Sequence, residues 1–403
     1  MALLPVAEAF ARVIEGAEPL PAESVPLGEA EGRVLAEDLT ARRTQPPDDV
    51  SAMDGYAVRG ADVATAPARL RLIGEVAAGR PLAATLQAGQ AARIFTGGVL
   101  PQGSDTIVIQ ENTAREGDIV VVNEPAARGK NVRVAGLDFR AGDVGLRQGR
   151  RLTGRDIALA AAMNFAQVPV HRRPRIAIAA TGDELVPPGT EPKPGQIVYS
   201  NVFALAALAR REGAEAIDLG ILPDRLDATI AGVRRAREAG ADVLLTTGGA
   251  SVGDYDLVQP ALAAEGLALS FWKVAVRPGK PLLSGRLGAM RVLGLPGNPV
   301  SAYVCAVLFL LPLLRKLTGR ADFAPALSEG VLGRDLKAND ERQDYLRATL
   351  TRRADGALVA TPFPQQDSSM LVPLAAADCL VVRPPHAGAA AAGTPCEFVK
   401  LDD

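Results

Sequence analysis

Histidine and cysteine are scarce in this sequence of 403 residues. The two histidines, His171 and His386, lie in no recognisable motif, which argues against a histidine metal site and against a Ser-His-Asp triad. The three cysteines, Cys305, Cys379 and Cys396, are far apart and form no CxxC pair, as is typical of packing roles in a reducing compartment. Any chemistry must therefore rest on carboxylates, lysines, arginines, serines and backbone groups.

An excess of charge of one sign is also lacking. Lysine and arginine number 44 against 46 acidic residues, which gives a net charge of −2. This balance predicts no binding to nucleic acid or to a membrane, so that anion binding would have to be local. The N-terminal residues 1–18 combine acids with a helical period, which is unlike a signal peptide. We expect a cytoplasmic protein.

The only long apolar run covers residues 295–314. Asn298, Ser301 and three prolines interrupt it, whereas a membrane span needs about 20 apolar residues, so we predict a buried helix. Asn298 is a good N-cap, and Pro299 suits the first helical position. The N–H groups of Val300 and Ser301 would then be free at the positive helix end, where an anion can bind. A well-capped buried helix is the simpler interpretation of the same residues.

Hydrophobic patterning predicts a multidomain protein of α/β plus β class. Residues 1–45 together with 148–174 read as a helical, linking domain, and the glycine-broken strands of 46–147 as an all-β domain. Residues 175–324 alternate strands and helices, which is typical of a central doubly wound parallel α/β domain. Short strands between Pro/Gly turns in 325–403 predict a small C-terminal β-barrel.

Three glycine-rich loops follow strands of the predicted α/β domain, at 181–185, 248–256 and 296–301. A turn or a helix cap explains each loop on its own. The carboxyl ends of parallel strands meet at one edge of the sheet, however, so the three loops together predict a ligand site. The candidate substrate-binding residues are Thr181, Gly182, Asp183, Gly248, Gly249, Ser251, Pro296, Gly297, Asn298 and Ser301.

Cations and acids accompany these loops. Lys273, Arg277 and Lys280 surround a Pro-Gly turn and suit phosphate or another oxyanion. The acids are hard oxygen ligands of the kind that Mg²⁺ prefers. Together they indicate a nucleotide-like or phosphorylated ligand with metal assistance, although neither GxxxxGK[ST] nor GxGxxG occurs. The acids in question are Asp183, Glu184, Asp254 and Asp256.

The predicted β domain carries its own polar cluster. Asp54 lies in SAMDGYA, Thr96 lies in FTGG, and Asp138 follows GKNVRVAGL. A solvated turn explains Asp54-Gly55 equally well. With acids here and cations on the α/β domain, we expect a site formed between two domains, which could come from different subunits.

Six motifs together resemble the MoeA family of molybdopterin molybdenumtransferases, which is related to the E-domain of gephyrin. The resemblance covers about residues 5–400, and Arg277 stands where the family turn commonly has lysine, while Leu137 replaces an acid. The motifs, in chain order, are SAMDGYA (51–57), FTGGVLPQGSDTIV (95–108), TGDEL (181–185), TTGGASVGDYD (246–256), RPGKP (277–281) and GLPGNPVS (294–301).

The resemblance implies that molybdate is inserted into adenylylated molybdopterin in a Mg²⁺-dependent step that releases AMP. It implies four domains, a molybdopterin-binding α/β domain among them, and a homodimer with the active site between subunits. A molybdopterin adenylyltransferase would be a partner. Mg²⁺ would lie on Asp183, Glu184 and Asp256. The implied catalytic residues are Asp54, Thr96, Asp138, Glu184, Asp256 and Lys280.

Two other functions remain open from the sequence. A molybdopterin adenylyltransferase has a similar α/β domain, but that class lacks the β-rich chain with SAMDGYA that precedes it here. A non-catalytic scaffold or carrier of the finished cofactor, as the likeness to gephyrin allows, would have no need of Asp54, Asp183 and Asp256.

Overall fold

The computed structural model describes residues 3–248 and 257–401. Its first part holds a six-stranded sheet and several short strand pairs. The elements in chain order are α1 (Val6–Ile14), β1 (Ala22–Pro26), β2 (Leu39–Thr40), β3 (Val50–Ser51), β4 (Gly55–Val58), β5 (Ala68–Val76), β6 (Gln90–Ile94), β7 (Thr106–Ile109), β8 (Thr113–Glu116), β9 (Ile119–Val122), β10 (Val132–Arg133), β11 (Val144–Leu146), α2 (Gly154–Ala162) and β12 (Gln167–His171).

The six-stranded sheet has the order β7-β4-β6-β5-β9-β8, and an apolar cluster lies on each of its faces. Successive side chains of a strand point to opposite faces, so Tyr56 and Val58 enter one apolar cluster and Ala57 enters another. Beside the sheet, β1 pairs with β12 and β2 pairs with β11, which brings the N-terminal segment against the segment around α2. The exact domain boundaries stay a prediction.

The second part is the α/β unit, as expected from the alternation of strands and helices. Its elements are β13 (Arg175–Thr181), β14 (Leu185–Val186), β15 (Ile197–Val198), α3 (Asn201–Arg211), β16 (Glu215–Leu222), α4 (Leu226–Glu238), β17 (Val243–Thr247), α5 (Val258–Ala264), β18 (Ala268–Trp272), β19 (Val276–Arg277), β20 (Leu283–Leu287), β21 (Met290–Leu295), α6 (Pro299–Cys305) and α7 (Leu311–Leu317).

The central sheet has the order β16-β13-β17-β21-β20-β18. Its first four strands are parallel, whereas β20 and β18 add an antiparallel edge. Val202 of α3 and Val233 of α4 lie in different apolar clusters, on opposite faces of the sheet. From β13 the chain passes to β16 on one side of it and later to β17 on its other side. The direction of the strand order therefore reverses between β13 and β17. Such a reversal is where doubly wound folds bind ligands.

Residues 299–317 form one continuous core helix, in which a π-helical turn (Ala306–Leu310) joins α6 to α7. By length and composition this stretch could cross a membrane, but 83% of its apolar window is buried inside the protein. Val304, Phe309 and Leu314 are fully buried in the largest apolar cluster. The prediction of a buried helix is confirmed.

The third part is a closed β-barrel, which confirms the predicted C-terminal fold. Its strands follow the order β23-β24-β22-β26-β25, and β25 pairs back onto β23. Strand β19 of the α/β unit also pairs with β23, so the barrel is joined to the α/β unit by backbone hydrogen bonds. The barrel elements are β22 (Leu327–Leu332), β23 (Gln343–Arg352), β24 (Leu358–Pro362), α8 (Leu371–Ala375), β25 (Cys379–Arg383) and β26 (Pro395–Lys400).

Candidate functional site

A pocket of about 730 Å³ opens at the carboxyl ends of β13, β17 and β21. This is the sheet edge at which the sequence predicts a ligand site. All three glycine-rich loops contribute to it. The candidate residues that line it are Thr181, Gly182, Glu184, Gly248, Pro296, Gly297, Asn298 and Ser301.

Glycine is required where these loops meet. Gly248 has a φ of +87°, and a Cβ there would lie 2.6 Å from the carbonyl oxygen of Thr181. A Cβ on Gly297 would lie 3.5 Å from the Cα of Gly248, so the second and third loops are also in close contact. At Gly248 the first two loops therefore approach more closely than a residue with a side chain would allow, whereas the contact at Gly297 is of ordinary van der Waals length.

One buried hydroxyl in the pocket lacks a partner. Thr181 is 6% exposed, and its Oγ1 makes no hydrogen bond to any residue in 3–248 or 257–401. A buried polar group without a partner is costly, which indicates that a ligand or water bonds to it. Ser301, which is 5% exposed, provides a second hydroxyl in the same pocket.

Two carboxylates border the pocket. The Glu184 carboxylate folds back over Gly182, where an added Cβ would lie 2.5 Å from it. Asp224, which follows β16, lines the pocket and exchanges hydrogen bonds with Asp183: the Asp224 N–H donates to Asp183 Oδ1 at 3.1 Å, and the Asp183 N–H donates to Asp224 Oδ2 at 3.4 Å. Asp183 itself does not line the pocket. Sequence analysis missed Asp224, although an acid directly after a predicted parallel strand was the available signal.

Glu184 and Asp224 suit a Mg²⁺ ion that is bound jointly by protein carboxylates and by the substrate. Among the described residues, no group of three or more His, Cys, Asp or Glu side chains is placed to bind a metal alone. Mg²⁺ commonly takes one or two carboxylates and fills its shell with water and phosphate oxygens, which Glu184 and Asp224 can support. Gly249, Ser251 and Asp256, three further candidates, lie outside the described residues.

The start of α6 is covered by the barrel, contrary to expectation. The Val300 N–H donates to the carbonyl oxygen of Ser368 at 3.1 Å, so it is not free for an anion. The Asn298 side chain makes no cap to the helix and donates instead to Ser368 Oγ at 2.8 Å. The prediction of a free Val300 N–H was wrong because the barrel provides a partner that local sequence cannot reveal. Asn298 does stand at the N-cap position and Pro299 in the first turn, as predicted, although the Asn298 side chain makes no cap hydrogen bond.

Loop 365–370 of the barrel covers the start of α6, and hydrogen bonds from Arg347 fix this loop in place. Arg347 is 1% exposed and donates to the carbonyl oxygens of Asp367 and Met370 at 2.9 and 2.8 Å. The arrangement brings Ser369 to the pocket wall. No motif marked this loop in the sequence, since its function depends on contacts between distant segments.

The three predicted cations differ in their surroundings. The Lys273 ammonium lies 4.5 Å from the centroid of the Trp272 ring. Arg277 is paired with Asp344 and Asp340 of the barrel. Lys280 is exposed, and no ion pair joins it to another described residue. It directly precedes Pro281, which lines the pocket, although Lys280 itself is not among the lining residues.

Of the three β-domain candidates, Asp54 and Thr96 form a pair, and no contact joins Asp138 to them among the described residues. Asp54 Oδ1 accepts from the Thr96 N–H at 2.7 Å and from the Thr96 hydroxyl at 2.8 Å. These two bonds, with Arg93 nearby, hold the pKa of Asp54 below its ordinary value. Asp138 is exposed, and its N–H donates to Gln45 at 3.0 Å. Within the described chain, none of the three candidates lines the pocket.

Family models match almost the whole chain. The model described as "MoeA N-terminal region (domain I and II)" matches residues 4–164. The model described as "Probable molybdopterin binding domain" matches 177–316, and "MoeA C-terminal region (domain IV)" matches 329–401.

Two relatives that match most of the chain have the same name, molybdopterin molybdenumtransferase. The chain is 42% identical to molybdopterin molybdenumtransferase of Nostoc sp., over 81% of this chain and 77% of that protein. It is 34% identical to the protein of the same name from Haemophilus influenzae, over 93% of each chain. The crystal structure of a molybdopterin biosynthesis MoeA protein from Pyrococcus horikoshii superposes with a TM-score of 0.86 at 29% identity, over 99% of this chain and 100% of that one.

Proposed function

Because the chain belongs to the MoeA family of molybdopterin molybdenumtransferases and is a transferase of molybdenum cofactor biosynthesis, we propose that it inserts molybdate into adenylylated molybdopterin and releases AMP in a Mg²⁺-dependent step. One observation carries the proposal. The pocket combines the buried Thr181 hydroxyl, which has no partner among the described residues, with a second hydroxyl at Ser301 and the carboxylates of Glu184 and Asp224. This set suits phosphates, an oxyanion and a divalent cation together.

The residues act mainly by positioning and by stabilising charge. The hydroxyls of Thr181 and Ser301 donate hydrogen bonds to oxygens of the bound anions. Lys280 adds positive charge at the rim. Mg²⁺, held by Glu184 and Asp224, would neutralise phosphate charge. A protein nucleophile is not required, because molybdate itself supplies the attacking oxygen.

We further propose a homodimer in which the Asp54–Thr96 pair of one subunit completes the pocket of the other. The support is that this pair is held together at 2.7–2.8 Å yet lies outside the pocket of its own chain. We also propose that the protein is cytoplasmic. A molybdopterin adenylyltransferase would supply its substrate.

The test is AMP release by the purified protein, given adenylylated molybdopterin, Mg²⁺ and molybdate. The proposal predicts release that requires both Mg²⁺ and molybdate. Ser301→Ala should lower the rate by about tenfold or more, since one oxyanion donor is lost. Ser328→Ala, on the barrel strand β22, is the matched control and should not change it.

Other outcomes would point to the alternatives. Tight binding of the substrate without molybdate-dependent AMP release would indicate a carrier or scaffold. Formation of the adenylylated compound from ATP and molybdopterin would indicate an adenylyltransferase. Either result would contradict the proposed reaction.

A further inference from the structure

Arg277 is fully engaged by the barrel. Its Nε and Nη2 donate to the two carboxylate oxygens of Asp344 at 2.7 and 2.5 Å. Its Nη1 donates to Asp340 at 2.9 Å, and Nη2 also donates to Asn339 Oδ1 at 2.7 Å. The guanidinium thus donates hydrogen bonds to two carboxylates and to one amide oxygen of the barrel. To bind a substrate anion, it would have to leave both of these carboxylates.

The partners of Arg277 are themselves fixed. Asp344 is 6% exposed on β23, which pairs in parallel with β19. The Asn339 side-chain amide donates to the backbone oxygens of Arg342 and Pro384 at 2.7 and 3.0 Å. A bidentate pair with a buried carboxylate fixes direction as well as distance. Arg277 is therefore anchored on a rigid surface.

The turn that follows Arg277 is held at its other end by α6. A Cβ on Gly279 would lie 2.3 Å from Cys305 Sγ, and Cys305 lies 3.7 Å from the Gly279 carbonyl oxygen. The Lys280 carbonyl oxygen accepts from the Val274 N–H at 2.9 Å. The turn is thus fixed by the barrel on one side and by the core helix on the other, and its exposed Lys280 directly precedes Pro281, which lines the pocket.

We propose that Arg277 is a positioning residue, which ties the 277–281 turn to the barrel and thereby places Lys280 at the pocket, rather than a ligand of the substrate anion. The inference rests on the proposed function for the role of Lys280. A lysine at 277 would keep the charge but has a single ammonium, which cannot span the same acceptors in a planar fork.

Kinetics separate a positioning residue from an anion ligand. If Arg277 positions Lys280, Arg277→Lys and Asp344→Asn should each raise the KM for molybdate several-fold, and the double variant should be no worse than the more affected single one. If Arg277 binds the anion, Asp344→Asn frees its charge and should lower the KM, while Arg277→Lys should raise it through loss of the planar fork, so the direction of the Asp344→Asn effect separates the two roles. That second pattern overturns the proposal. Arg352→Lys, which lies on the same strand β23 and donates only to Gly356, is the matched control.

A second readout does not depend on activity. Cys305 is buried beneath the turn, and burial raises the pKa of its thiol to about 12, so a thiol reagent should label it slowly. Loosening the turn by Arg277→Lys or Asp344→Asn should speed labelling of Cys305 several-fold, read by peptide mapping, with Cys379 and Cys396 unchanged. Unchanged labelling of Cys305 overturns the anchoring role.

The two readouts keep the hypotheses distinguishable. A wild-type protein that releases no AMP contradicts the proposed function, whereas Cys305 labelling still decides whether Arg277 holds the turn. Should Asp344→Asn fail to fold, Asp340→Asn replaces it, since that carboxylate is more exposed and its loss is milder. Asp340→Asn should accelerate the labelling of Cys305 to a smaller extent. If labelling is accelerated neither in Asp340→Asn nor in Arg277→Lys, the proposal is overturned.

Discussion

At the scale of single residues, the ionisation of Asp54 depends mainly on Thr96, with a smaller effect of Arg93. Its pKa is lowered by the backbone N–H of Thr96 first and by the Thr96 hydroxyl second. Both donors favour the charged carboxylate, which therefore stays ionised to lower pH than an ordinary aspartate. An ionised acid at this position would keep its charge at neutral pH.

Thr96→Ala tests this account, because it removes the hydroxyl and leaves the backbone N–H. The pKa of Asp54 should rise toward its ordinary value without reaching it, so that protonation begins at higher pH in the variant. Titration of ¹³C-labelled carboxyl groups, assigned with Asp54→Asn, measures the pKa. Thr85→Ala, whose hydroxyl bonds only to Gln102, is the control, and an Asp54 pKa that does not change in Thr96→Ala would contradict the account.

Residue types were easier to predict than residue partners. The sequence predicted that hydroxyls, glycines and acids lie at the ends of strands, and most of these residues line the pocket. Strand periodicity alone is enough to predict which residues reach that edge of the sheet. It could not show that Arg277 is paired with Asp344, since 67 residues separate them along the chain. Nor could it show that the side chain of Asn298, at the N-cap position, donates to Ser368 instead of bonding to its own helix.

At the scale of helices, α3 and α7 are joined by a buried ion cluster. Glu212, at the end of α3, is 3% exposed in its side chain and bonds to Arg315 at 2.6 Å and to Arg320 at 2.9 Å. Burial alone would raise the pKa of Glu212, but the two arginines outweigh it and lower the pKa below its ordinary value. The cluster braces the core helix whose N-terminal end forms part of the pocket.

Glu212→Gln should lower the free energy of unfolding by about 3–5 kcal/mol at neutral pH, because it leaves buried arginine charge without its partner. A depressed folded pKa adds stability that is present above the unfolded pKa and lost as pH falls through the folded one. The difference from wild type should therefore be full at neutral pH and shrink only in acid below the ordinary value of 4.5.

Denaturant unfolding at several pH values measures this difference. The matched control is Glu215→Gln, whose partner Arg175 lies 3.2 Å away with both side chains about half exposed. Exposed pairs contribute only about 0–1 kcal/mol. Equal losses in the two variants would contradict the role assigned to Glu212.

Helices and strands were predicted well where their pattern is long and regular. The alternation in residues 175–324 correctly predicted the α/β sheet, and the apolar run at 295–314 correctly predicted the core helix, which covers 299–317. The antiparallel edge of β20 and β18 and the loop at 365–370 were not foreseen. Their positions depend on pairing and packing between segments distant in sequence, which no local period encodes.

At the scale of the whole molecule, the candidate residues lie in two groups. The pocket group belongs to the α/β unit and is covered by the barrel, while Asp54 and Thr96 lie on the six-stranded sheet near the N-terminus. A symmetric dimer can bring the two groups together, because each subunit then supplies one group to each of two equivalent sites. The account thus predicts that neither group suffices within one subunit.

Hybrid dimers test this central claim most directly. Asp54→Asn and Glu184→Gln should each abolish most of the molybdate-dependent AMP release as homodimers. A hybrid of one Asp54→Asn subunit and one Glu184→Gln subunit, isolated with two different tags, contains one site with both residues intact. It should recover about half of the wild-type rate per dimer. A hybrid as inactive as its parents would contradict a site shared between subunits, since two impaired chains would then hold no complete site.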